Sequence, residues 1–173
     1  MTTIEQDGFR EAGFVPRESL HLLRHGFQEL PDHSNTTKLR PGRRSDTSRV
    51  LEIDAMSFDD FWKLDRSGLV SARKATPIHR YRVATINREV VGYVVSGRAG
   101  QASFLQRLGV DPQVRGQGIG AQLVVDSIRW AIGQGGSSML VNTQISNTNA
   151  LRLYERLGFV LDRAQLKVLE WPH

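Results

Sequence analysis

Between Ala102 and Gly133 the hydrophobic period changes once, from alternating to helical, and Gly116, Gly118 and Gly120 stand at the change. This junction constrains the fold more than any other part of the chain. A strand must end, a helix must begin, and the backbone between them must approach something that leaves no room for Cβ atoms. Ala102 to Val110 alternates as a half-buried strand does. Beyond the glycines, Ile119, Leu123, Val124, Ile128, Ala131 and Ile132 form one apolar stripe, closed by Gly133-Gln134-Gly135-Gly136. The free amides of a first helical turn and the helix dipole favour an anion, and Arg115 adds a full positive charge at the same place.

The flanking segments complete a mixed α/β pattern. Ile78 to Ala84 reads as a strand, Asn87-Arg88 as a turn, and Val90 to Val95 as its hairpin partner. A second turn over Arg98 to Gln101 leads into Ala102 to Val110, giving an antiparallel meander. Downstream, Met139 to Val141 is a short buried strand, and Asn147 or Ser146 caps a helix whose inner face carries Ala150, Leu153, Tyr154 and Leu157. Gly158 stops that helix, and Val160 to Leu169 returns as strand. Upstream, residues 30–49 read as an exposed connection with a short strand near Lys38 to Arg40. Asp46 or Ser48 caps a helix through Val50, Leu51 and Asp54, and Ser57 caps a second one carrying Phe58, Phe61 and Trp62, broken by Gly68 and Pro77. A strand–helix–strand crossover inside an otherwise antiparallel meander predicts an α/β fold, a mixed, mostly antiparallel sheet flanked by helices.

Composition narrows the chemistry. The 173 residues are enough for one domain with a real core. With no cysteine there is no disulfide framework, thiolate metal site or thiol nucleophile. The five histidines have no ligand spacing, so no metal is expected. No apolar run is long enough for a membrane span, and the first residues lack the apolar stretch of a signal peptide, so a cytoplasmic protein is expected. A net charge of +5 points to an anionic partner, either a polyphosphate cofactor or nucleic acid. Lys38, Arg40, Arg43, Arg44 and Arg49 fall in a Pro-, Asn-, Ser- and Thr-rich segment that reads as a solvated loop. No recognised binding motif supports nucleic acid.

Three ligands compete for the glycine loop. A nucleoside triphosphate loop needs Lys and Ser/Thr after its last glycine, whereas Gly120 is followed by Ala121-Gln122. A dinucleotide fingerprint matches at Gly116, Gly118 and Ala121, but Asp111 to Val114 intervene where a tight turn belongs, and Asn142 replaces the ribose-binding acid. The pyrophosphate of coenzyme A is the third. Val110-Asp-Pro-Gln-Val-Arg-Gly-Gln-Gly-Ile-Gly120 resembles the R/Q-x-x-G-x-G/A signature of the GNAT family of acetyl-CoA-dependent N-acetyltransferases, with Arg115, Gly118 and Gly120 in the key places. Ser146 to Phe159 is similar to the family's second cofactor motif, and Val90 to Val95 to its preceding hairpin; the likeness spans about residues 36–170.

The resemblance implies a GNAT-like fold with a splayed central strand pair, and an enzyme moving acetyl from acetyl-CoA to a primary amine in a ternary complex. It implies that Leu108, Gly109 and Val110 bond the pantetheine arm through their backbone, that Arg115, Gly116, Gln117, Gly118, Ile119 and Gly120 hold the pyrophosphate, and that Asn147 bonds the arm while also serving as a helix cap. Tyr154 matches the family's general acid, which protonates the leaving thiolate; by pattern alone it is a core tyrosine. The chain departs from the family at the general base. The corresponding strands offer Phe104, Gln106, Arg107, Asn142, Thr143 and Gln144, none a base at neutral pH. Water held by Asn142 or Gln144, or one of Asp54, Asp59, Asp60 and Asp65, remains open for that role. The missing base also motivates an alternative, a non-catalytic acyl-CoA-binding module. Phe58, Phe61 and Trp62 suit either an acceptor pocket, for a small amine or a protein N-terminus, or the core.

Glu11 to Leu23 resembles Arg156 to Leu169, as though the tail of another such domain preceded this one. The expected division is therefore an extension over residues 1–35, with a strand covering a sheet edge or pairing two copies as a homodimer, followed by an N-acetyltransferase domain over residues 36–173.

Overall fold

The computed structural model describes residues 8–29 and 37–172. Seven strands form one sheet in the order β2-β3-β4-β5-β6-β1-β7. In chain order they are β1 (Val15–His25), β2 (Lys38–Pro41), β3 (Ile78–Ile86), β4 (Glu89–Ala99), β5 (Ala102–Val110), β6 (Ser138–Gln144) and β7 (Val160–Glu170). Among the described residues the helices packed on the sheet are α1 (Thr47–Ser57), α2 (Arg66–Lys74), α3 (Ile119–Gly133) and α4 (Thr148–Arg156). Every neighbouring pair is antiparallel except β5 and β6, which the α3 crossover makes parallel.

Local chemistry explains the meander. Asn87 and Arg88 both take positive φ, 48° and 71°, the hand a two-residue hairpin needs between right-twisted strands. The sheet then buries both faces. Val91, Val94, Leu105, Met139 and Val141 pack under α3 and α4. Val83, Val90, Tyr93 and Val95 pack under Val50 and Ile53 of α1 and Leu69 of α2. β4 is accordingly buried from Val90 to Gly97, losing the alternation of a one-sided strand.

Three expectations upstream of the sheet are corrected. α1 stops at Ser57, and Phe58 is extended at φ −133°, so Phe58, Phe61 and Trp62 belong to the α1–α2 connection and Ser57 caps nothing. The cause is Asp54, whose carboxylate accepts from the Leu64 amide at 2.6 Å and draws the connection around itself. Gly68 does not break a helix but lies in the first turn of α2, where its amide donates to the capping carboxylate of Asp65 at 2.6 Å. At the start of α1, Asp46 makes no side-chain cap; it accepts from the Arg43 amide at 2.6 Å and from Arg40 at 2.7 Å, closing the turn before the helix.

β1 also lies where the sequence did not put it. It pairs with β6 on one side and β7 on the other, inside the sheet, with β7 as the edge. The two segments that resemble each other in sequence meet there. Gly13 (φ 96°) and Gly158 (φ 84°) each follow a helical turn and precede a Phe and a strand, and the two strands run antiparallel from Val15 opposite Glu170 to Arg24 opposite Val160.

Candidate functional site

β5 and β6 are joined only where they start. Ala102, Ser103 and Phe104 lie opposite Ser138, Met139 and Leu140; beyond these the strands have no pairing register, although β5 continues to Val110 and β6 to Gln144. The parting leaves backbone groups of the second half of β5 without a sheet partner on that side, inside an otherwise continuous sheet. A cleft of about 1000 Å³ opens there.

The glycine loop forms one end of this cleft. Gly118 is the residue before α3 and takes φ 79°, left-handed backbone that a side chain would strain. The first intrahelical bond is from the Gln122 amide to the Gly118 carbonyl, 3.0 Å, so the amides of Ile119, Gly120 and Ala121 point out of the helix start. The Ile119 side chain is in the core, leaving its backbone for the cleft. Arg115 folds back on the loop, its Nε donating to the Val110 carbonyl at 3.2 Å and its Nη2 to Ser57 Oγ at 3.1 Å. Gly109 is a glycine for another reason: a Cβ there would meet the Tyr93 ring at 2.5 Å.

α4 forms the facing side. Asn147 caps it, Oδ1 accepting from the Ala150 amide at 3.1 Å, and the same residue lines the cleft. Of the residues expected to meet the cofactor, Leu108, Gly109, Val110, Arg115, Gly116, Gly118, Ile119, Gly120 and Asn147 all line the cleft. Gln117 is exposed on the loop and is not among the lining residues. Tyr154 is only 5% exposed and is not itself a lining residue, although its chain neighbour Leu153 and nearby Leu157 are; its ring lies 5.6 Å from that of Phe159. Burial pushes its phenol above the ordinary tyrosine range, so it holds its proton throughout the neutral region.

The other wall is assembled around one buried carboxylate. Asp54 is fully buried and accepts from Arg107 Nε at 2.7 Å, Arg107 Nη2 at 2.9 Å, the Leu64 amide and the Tyr93 hydroxyl. Arg107 also donates to the Trp62 carbonyl at 2.7 Å and lies over the Phe58 ring, 3.4 Å from its centroid. This cluster ties α1, the α1–α2 connection, β4 and β5 into one unit. It brings Ser57 and Phe58 to the cleft.

The candidate bases separate cleanly. Asp54 is consumed by its four donors. Asp60 pairs with Lys63 at 2.7 Å in solvent, and Asp65 caps α2. Asp59 instead faces the end of β6, where Gln144 Nε2 donates to it at 3.4 Å and to Glu18 at 3.5 Å. Glu18 also accepts from the Trp62 indole. Sequence reasoning missed Glu18: it lies on β1, 126 residues from Gln144, and nothing local to either announces the contact. It also passed over Arg152 and Arg156, which line the cleft from α4 and which the helical spacing around Tyr154 already put on the outer face.

A parted parallel strand pair, a glycine-rich helix start at its end and a capped helix facing it define a cleft for a long ligand with an anionic end. Residues 47–159, more than half of the chain, match the model of the Acetyltransferase (GNAT) family, and the chain belongs to that family. It is 27% identical over 148 residues to a mycothiol acetyltransferase from Thermobispora bispora, a match covering 76% of this chain and 48% of that protein. A putative acetyltransferase of the GNAT family from Novosphingobium aromaticivorans has the same fold, with a TM-score of 0.71 at 19% identity over 93% of this chain and 69% of its own. So does AAC(6')-Iy, solved in complex with the bisubstrate analogue CoA-S-monomethyl-acetylneamine, with a TM-score of 0.62 at 17% identity over 75% and 95%. The chain spans less than half the length of the curated relatives it matches. No described helix is long and apolar enough to cross a membrane.

Proposed function

We propose that this chain transfers an acetyl group from acetyl-CoA to a primary amine, both substrates being bound together. The observation that carries the reading is the parting of β5 from β6 immediately before the glycine loop. The residues present fit the cofactor. First-turn amides and Arg115 suit its pyrophosphate, and Gly118 and Gly120 keep Cβ atoms out of that approach. The backbone edge of Leu108 to Val110, parted from β6 and with only its Val110 carbonyl engaged by Arg115 and Ser57, suits the amides of the pantetheine arm. The Asn147 amide nitrogen is available to the same arm, because its cap uses only Oδ1. The relative solved with a coenzyme A analogue supports the same choice of cofactor.

Acetyl-CoA supplies an acetyl group on a thioester sulfur. The protein has two proton tasks: one proton must leave the attacking nitrogen, and one must reach the sulfur as the carbon–sulfur bond breaks. Glu18 and Asp59, at the Gln144 end of the parted strands, are the carboxylates that receive the first, directly or through solvent. They stand in for the base absent from β5 and β6. Tyr154 is the donor of the second. A phenol is protonated at neutral pH, and the dry surroundings that push its pKa up also disfavour a bare thiolate, so the leaving sulfur becomes a stronger proton acceptor there. In this reading residues 36–173 are the catalytic domain, to which the extension contributes Glu18.

Calorimetric titration with acetyl-CoA tests the reading, repeated on Gly118→Trp. Saturable binding by the wild type, abolished in a variant that remains folded by circular dichroism, is the expected result. A wild type that binds no acetyl-CoA would sink it.

A further inference from the structure

We propose that Arg152 and Arg156 form the subsite for the 3′-phosphate of coenzyme A and make this chain discriminate the full cofactor from its dephospho form. The inference rests on the acetyl-CoA reading above and adds a subsite outside the glycine loop.

Three cations line the cleft from the loop and α4: Arg115, Arg152 and Arg156. They differ in what holds them. Arg115 is tethered to Val110 and Ser57 at the loop. Arg152 and Arg156, one helical turn apart on the exposed side of α4, take part in no ion pair among the described residues. The contrast with the sheet and α1 is direct, since Arg40, Arg49, Arg80 and Arg107 each have a carboxylate there. Glu155 also lines the cleft, yet it neutralises neither arginine.

Two like charges at this spacing repel each other unless an anion joins them. The helix dipole accounts for one of them only: Arg156 is in the last turn of α4, where a cation is favoured, whereas Arg152 is not. Coenzyme A carries three phosphates. Its pyrophosphate is matched by the α3 amides, which leaves the ribose 3′-phosphate, a compact dianion, without a counterpart on the loop. A pair of guanidinium groups on one helix face, across the cleft from the loop, has the charge and the donor geometry for that group.

The test is calorimetric titration of the wild type, Arg152→Gln, Arg156→Gln and the double variant, each with coenzyme A and with 3′-dephospho-coenzyme A. The wild type is expected to prefer coenzyme A by roughly 10- to 100-fold. The double variant should bind both ligands alike, at about the wild-type affinity for the dephospho form. Unchanged melting temperatures would separate this result from a loss of helix stability. Equal wild-type affinity for the two ligands, or an equal loss for both in the double variant, overturns the subsite while leaving the acetyl-CoA reading intact. Failure of the wild type to bind either ligand overturns both.

Discussion

The two walls of the cleft are built by opposite means. The wall we assign to the cofactor, from β5 through the glycine loop to α3 with α4 facing it, is made of short-range elements, and the groups it offers are mostly backbone. The wall we assign to the acceptor presents Phe58 to the cleft from a non-helical connection held on a single buried carboxylate, Asp54, with Asp59, Trp62 and Glu18 of β1 grouped beside it. Backbone groups are fixed wherever the chain path is fixed, so the first wall tolerates many substitutions and fails only where a Cβ intrudes. The second has one point of failure. Its position depends on an ion pair that is costly to break, because either partner left alone is a buried uncompensated charge.

Replacing Tyr154 tests whether the cofactor wall does chemistry as well as binding. Tyr154→Phe keeps the ring that packs on Phe159 and removes only the proton donor. It should lower kcat by roughly 10²- to 10⁴-fold with acetyl-CoA affinity unchanged. Steady-state kinetics beside calorimetry measures both, and an unaltered kcat returns Tyr154 to the core alone. The acceptor wall should break differently. Asp54→Ala strands Arg107 and the Leu64 amide and is expected to cost about 3–5 kcal/mol in urea unfolding. A loss below about 1 kcal/mol would mean that the connection is anchored elsewhere. Smallest of the three, Glu18→Gln keeps the shape and the indole partner while removing a charge beside Gln144. KM for a cationic amine should rise about 3- to 10-fold and kcat should fall, Asp59 remaining as the second proton acceptor, with no change for acetyl-CoA. Equal KM values would detach β1 from acceptor binding.

The same contrast explains what could be read from the sequence. The cofactor wall was legible because its requirements are local: Gly118 announces a left-handed helix start, Asn147 a cap, and the 3.6-residue period the inner face of α3. The acceptor wall was not. Asp54 reads as a polar helix residue until Arg107, 53 residues away, is brought against it, and Phe58 to Trp62 continue a helical pattern that the Leu64–Asp54 bond overrides. The placement of β1 was illegible for a related reason. Its likeness to the start of β7 identifies the segment but says nothing of which edges are free, and pairing between strands over 100 residues apart leaves no local mark.

His25 offers a finer comparison, because it lies at the opposite end of β1 from Glu18 and serves the fold there. The imidazole is 2% exposed, between Phe27 and Phe159, with Nδ1 accepting from the Phe27 amide at 3.0 Å. Burial lowers its pKa below the ordinary value, outweighing backbone hydrogen bonds that act the other way. The neutral form is therefore the folded form, and protonation would also cost it the Phe27 bond. The unfolded chain binds this proton at higher pH than the folded one, so stability should be level above about pH 7 and fall as pH drops through about 6.5. Asp46, whose carboxyl Arg40 holds below its ordinary range, acts in a separate window, its contribution being lost only under more acidic conditions. Urea unfolding of the wild type and His25→Asn at pH 7.5 and 5.5 isolates the histidine. The wild type should lose stability between the two, and the variant, weaker at both, should lose less. An identical loss in both proteins would assign the dependence to groups other than His25.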